Sequence, residues 1–135
     1  MSIFKALCDE LESKIKDSYE EGVTLERAER LASEFLYAQI QVSTVLKQAD
    51  LDSRMRKSGV KAIRAAIYLD IVSKADKKPT ESQISALIDS DSIVTNEQKE
   101  FDMAEVDRDA LERYYNIFQN AHIFFRGVSK GKFGD

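Results

Sequence analysis

The sequence predicts an all-α protein: a long helical hairpin with a short helix at its tip and an extra N-terminal helix, built into an oligomeric helical assembly. Three observations predict it. Pro occurs once and Gly five times in 135 residues, so long stretches run without a helix breaker. Apolar residues recur every three or four positions instead of alternating. Thr-x-x-Gln pairs, which cap helix starts, stand at the breaks in that pattern. No β-hairpin signal and no internal repeat is present. The length fits a single helical domain, read as an acidic helix over 1–22, a hairpin core over 24–126 and a flexible basic tail over 127–135.

The first helix is expected over residues 2–20, where Phe4, Leu7, Leu11 and Ile15 line one face and Gly22 supplies the stop. Thr24 is a good N-cap for the second, with Glu26 in its first turn. Leu25, Ala28, Ala32, Phe35, Gln39, Val42, Leu46 and Ala49 form its seam, which resumes at Val60, Ile63, Ile67 and Ile71. A single helix of about fifty residues would be about 75 Å long. A break at Asp50–Ser53 is the alternative, since both residues can cap. Pro79 then disfavours helix at Lys78, and Thr80 with Gln83 opens a short helix that buries Ile84, Leu87 and Ile88. Thr95 with Gln98 forms a second box, which starts the last helix near 96. That helix is expected to reach Arg126, with Gly127 as its stop. Its seam is Phe101, Ala104, Arg108, Leu111, Tyr115, Phe118, His122 and Phe125, widened by Tyr114, Ile117, Ala121 and Phe124. So wide an aromatic face implies burial against more than one neighbour.

Composition bounds the chemistry. Cys8 is the only cysteine, so no internal disulfide forms, and a lone thiol fits a reducing compartment. The N-terminus turns acidic too early for a signal peptide. No run approaches the ~18–20 apolar residues of a membrane span. A cytoplasmic protein without membrane contact is expected. His122 is the only histidine, and between Phe118 and Phe125 it reads as a satisfied core residue. One His and one Cys do not make a zinc site of the usual kind. Cys8 has no activating neighbour, and Lys57-Ser58-Gly59 lacks the Gly-rich lead-in of a phosphate loop. The chain is expected to be non-enzymatic, with no catalytic residue, cofactor or metal.

The charge is segregated. Residues 1–46 hold five basic and nine acidic residues, 47–78 nine and four, and 79–135 six and eleven. Within the basic block, Arg54, Lys57, Lys61 and Arg64 are spaced 3, 4 and 3 apart, on one helix face. Tyr68 continues that face, and Arg56 stands beside it. These cations either grip an anion or pair with acids of the fold. An antiparallel register with Lys74 opposite Glu97 sets Arg64 against Asp107 and Lys61 near Asp109. The same register leaves Lys57 opposite Tyr114 and Arg54 opposite Ile117. Lys61 and Arg64 then read as structural, and Arg54, Arg56 and Lys57 as free for phosphate. Arg126, Lys130 and Lys132 add a basic C-terminus. Free cations near aromatic rings suit single-stranded nucleic acid, and a homo-oligomer would multiply the contacts. The competing expectation is a protein-interaction module whose acidic surfaces, 9–34 and 97–112, dock a basic partner or mimic DNA.

In its long basic helix, in the segment that follows "YLD" (68–70) and in its closing "NAHIFFRGVSKG" (120–131), the chain resembles the UvsY-type recombination mediators of tailed phages. It is also similar to small helical phage proteins with a helix–"KKPTE"–short helix–helix layout. The likeness covers most of 24–131. It implies a homo-oligomeric single-stranded-DNA-binding mediator that helps a RecA-like recombinase displace the single-strand-binding protein, in the cytoplasm of an infected cell. Arg54, Arg56, Lys57, Lys61 and Arg64 match the family's basic helix. The acidic helix before Thr24 departs from its pattern.

Overall fold

The structure, a computed structural model, describes residues 2–131. It is all-α. Four helices follow in order: α1 (Ser2–Glu21), α2 (Leu25–Lys74), α3 (Glu81–Asp89) and α4 (Ser92–Ser129). Among the described residues there is no strand.

Most boundaries have the local causes expected of them. Gly22, at φ +79°, closes α1 in the left-handed region that glycine enters without steric cost. Thr24 Oγ1 accepts the amide of Arg27 at 3.1 Å and opens α2. Thr80 and Gln83 form a reciprocal capping box at the start of α3. α2 is unbroken for 50 residues. Asp50 and Ser53 do not cap a break: the Asp50 carboxylate meets Arg54 one turn along the same helix, and Ser53 is buried within it.

The last helix departs from expectation at both ends. It begins at Ser92 because Asp91 Oδ1 accepts the amides of Ile93 (2.8 Å) and Val94 (3.2 Å). Thr95 lies inside the helix and donates back to the Asp91 carbonyl, and Gln98 reaches forward to Asp102. At the other end α4 passes through Gly127, which is buried, to Ser129. Gly131, at φ +75°, is the glycine that turns the chain. Of the flexible tail expected over 127–135, residues 127–129 are helical, and 132–135 lie outside the described residues.

The contacts sort the chain into two compact units. One gathers α1, α2 as far as Lys47 and α4 from Asp109; the other is Gln48–Arg108. In the first, Phe35 of α2 lies 5.6 Å from Phe118 and 5.7 Å from Phe125 of α4, centroid to centroid. Tyr114 stacks on Phe118 at 5.9 Å. Such pairs add directional attraction to the area they bury. α1 covers the other side of this aromatic row. Cys8 is buried there, Tyr114 donates its hydroxyl hydrogen to Asp9, and Lys14 meets Glu34 at 3.2 Å. The wide face of α4 thus serves two helices. His122 donates from Nδ1 to the Ala32 carbonyl at 2.9 Å, which places the ring hydrogen on that nitrogen.

In the second unit, α3 lays Ile84 and Ile88, with Val94, against Ile63, Ile67, Tyr68, Ile71 and Val72 of α2. Leu87, expected inside, is exposed. Because α3 occupies the C-terminal stretch of α2, α4 meets α2 further back. Arg108 reaches Asp50 at 3.7 Å and Arg56 reaches Glu100 at 3.7 Å. The helices run antiparallel, displaced by about four turns from a register with Lys74 opposite Glu97. Lys74 instead pairs with Asp70 at 3.0 Å on its own helix.

Candidate nucleic-acid interface

The basic stretch of α2 lies in the Gln48–Arg108 unit, and the displaced register changes which of its cations are engaged. Arg56 is the most engaged. Its Nε donates to both carboxylate oxygens of Asp52, at 3.2 and 3.1 Å, and its Nη1 lies 3.7 Å from Glu100. The bond to Asp52, more than the fields of Glu100 and Glu97, holds its pKa above the ordinary arginine value. Arg56 thus ties α2 to α4 and is not the free phosphate ligand expected of it.

Arg54 also has a carboxylate, contrary to expectation: its Nη2 lies 3.0 Å from Asp50 Oδ2. This contact is of another kind. The Arg54 side chain stays 78% exposed, and an exposed pair four residues apart on one helix contributes only ~0.3–0.5 kcal/mol. Asp50 is moreover shared, because Arg108 reaches its other oxygen.

Lys57 is exposed and has no ion pair among the described residues. The same holds for Lys61, which was expected to face the Asp109 region. Arg64 is engaged, as the register with Lys74 opposite Glu97 led one to expect, but its partner is Asp89 of α3 at 2.8 Å and not Asp107. Tyr68, next along the face, donates to Glu81 at 3.1 Å. The row open to solvent is therefore Arg54, Lys57 and Lys61, spaced by three and four residues on one side of α2. Exposed Met55 and Leu51 stand beside it.

Arg126 and Lys130 belong to the other compact unit. Both are exposed, and neither has an ion pair among the described residues. Lys132 lies outside the described residues. The cleft of that unit, of about 610 Å³, has no charged side chain in its lining, which includes Tyr19, Asn120 and Phe124. It offers nothing to a phosphate. The two basic groups are thus not one site within one unit.

Two signals in the sequence pointed to the engaged arginines. Asp50 stands four residues before Arg54, and Asp52 four before Arg56, the favourable order for helix ion pairs. Glu100 carried no such signal, since it depends on where α4 meets α2. Among the described residues, no three His, Cys, Asp or Glu side chains are grouped to hold a metal ion, and no helix is long and apolar enough to cross a membrane. The thiol of Cys8 is pushed up to about 11, first by burial and then by Asp9 and Glu12. No family model matches the chain, and neither a curated protein nor a solved structure shows significant similarity to it.

Proposed function

We propose that the chain is a non-enzymatic single-stranded-DNA-binding protein that grips the phosphate backbone with Arg54, Lys57 and Lys61. One observation carries this reading: three exposed cations share one side of α2 and face a single carboxylate, Asp50, which Arg108 also draws on. Phosphates approaching that row displace at most one weak surface pair, and each phosphate that is neutralised releases the counterions condensed on it. The reading is narrower than the whole basic stretch, because Arg56 and Arg64 are held by Asp52, Glu100 and Asp89. A role as a recombination mediator that loads a RecA-like recombinase is supported by the resemblance to UvsY-type proteins.

The test is an anisotropy titration of a labelled oligothymidylate across a salt series. Replacing Arg54, Lys57 and Lys61 together by Ala should lower the salt slope by about 2, at ~0.7 per lost contact with a single strand. Arg56→Ala should leave the slope unchanged. Absence of wild-type binding at low salt, or a slope indifferent to the triple replacement, would remove the reading.

A second reading rests on α4. Glu97, Glu105 and Asp107 have no ion pair among the described residues of the Gln48–Arg108 unit. An acidic helix surface of this kind suits a protein-interaction module, such as an assembly factor or a host-defence inhibitor that docks a basic partner. Failure of the oligonucleotide titration at low salt favours it.

A further inference from the structure

We propose that a second copy of this chain docks on the Gln48–Arg108 unit, laying the exposed ridge of its own α2 into the groove beside α4. The groove has a volume of about 640 Å³, and Val94, Met103 and Val106 supply its apolar lining. Met103 is more than half exposed, and Val106 is 68% exposed. Asp89, Asp102 and Asp107 also line it, against two cations, Arg64 and Lys99. Arg64 already serves Asp89, Asp102 is met by the side-chain amide of Gln98 at 2.9 Å, and Asp107 has no ion pair among the described residues. The groove is apolar with an acidic edge.

The same unit presents the complementary shape. Leu51, Met55, Ser58, Ala62 and Leu69 fall 4, 3, 4 and 7 residues apart on α2 and form one stripe. Leu51, Met55 and Leu69 are all more than half exposed, Met55 by 64%. Arg54 and Lys61 stand along one border of that stripe, with Lys57 one step further round. The ridge is apolar with a basic edge, and because that edge belongs to the row proposed for phosphate, a docked copy and a single strand compete for Arg54 and Lys61. An apolar helix face bordered by cations fits an apolar groove bordered by carboxylates. The lengths agree: Val94 to Asp107 spans about 20 Å of helix, and Leu51 to Ala62 about 17 Å.

A symmetric ridge-on-ridge dimer is disfavoured. In an antiparallel pair of identical helices like borders face each other, so Arg54 and Lys61 would meet their own copies. Ridge into groove avoids this and leaves the pair with one unfilled groove, on the copy that gave its ridge, and one unfilled ridge, on the other. Such a contact is head-to-tail, and it grows into a ring or an open chain.

The experiment is sedimentation of the full chain over a concentration series, with no nucleic acid in any sample, so that its outcome is independent of DNA binding. Mass should rise through successive multiples of the protomer and fall with added salt. Asp102→Lys with Asp107→Lys should weaken association roughly tenfold or more, and so should Arg54→Glu with Lys61→Glu, because like charges then meet across the contact. The chain carrying all four replacements should associate again. All four positions are exposed or at the surface, and far-UV circular dichroism of each variant checks that the helices persist. A wild-type chain that stays monomeric overturns the proposal. So does association that ignores both reversals, or a four-fold variant that remains apart.

Discussion

The hydroxyl of Tyr114 on α4 donates a hydrogen bond to the Asp9 carboxylate on α1. The ring behind that hydroxyl is fully buried, and the Arg113 guanidinium lies 4.7 Å from its centroid. Arg113 in turn reaches Glu12 at 3.5 Å. A buried aromatic body with a polar tip at the edge of the core is how a tyrosine joins two helices. Replacing Tyr114 by Phe keeps the packing and removes one bond to an ionised group. Asp9 is exposed and regains water, so the expected loss is about 1–2 kcal/mol in a urea titration. Truncation to Ala should cost about 3–5 kcal/mol, because it also opens a cavity.

Alkaline pH should destabilise the fold in a defined window. Burial foremost, then the bond to Asp9, pushes the Tyr114 phenol up to about 12 from its usual 10.0. The Cys8 thiol is raised from 9.0 to about 11. The unfolded chain therefore releases these two protons at lower pH than the folded one. Stability supplied by the neutral groups is complete below pH 9.0, and it declines as pH rises towards 12. A urea midpoint followed from pH 8 upward should fall in that range. The double replacement Cys8→Ala with Tyr114→Phe should flatten the fall.

Thr80 holds the start of α3 through the capping box with Gln83, at 3.2 and 3.0 Å. A helix of nine residues does not persist in water by propensity alone, so α3 depends on this cap and on Ile84 and Ile88. Thr80→Ala should cost about 1 kcal/mol. Hydrogen exchange should show the loss first in the α3 amides, and only later in those of α4.

Gly59 stands in the middle of α2 with no left-handed backbone to justify it. A methyl group placed there meets nothing within 4 Å. Gly59→Ala should therefore stabilise the chain by about 0.5–1 kcal/mol, read as a higher melting temperature. A lower melting temperature would show that the position requires glycine.

Helix identity was legible wherever a short-range rule decided it. Gly22, Thr24 and the Thr80–Gln83 pair act within four residues, and each appears in the structure as its chemistry predicts. The start of α4 was misplaced because two capping signals competed. Asp91, directly before the helix, took the free amides, and Thr95 was left to bond backwards. The register was not legible. It depends on where α3 comes to rest, and only the packing of Ile84 and Ile88 against Ile63, Ile67 and Ile71 decides that. The site inherited that error. Once α4 meets α2 four turns further back, Arg56 gains Glu100 and Lys61 loses its expected neighbour. The i,i+4 aspartates in front of Arg54 and Arg56 were in plain view, and weighing them would have separated Arg56 from Lys57 without any structure.

The unreactive state of Cys8 has a practical consequence. At neutral pH a thiol raised to about 11 presents almost no thiolate to an electrophile, and burial keeps reagents away from it as well. A cysteine introduced at an open position such as Tyr19, which is 92% exposed, would take a maleimide dye alone. Fluorescence transfer between labelled chains then tests the proposed association with the native sulfur left in place.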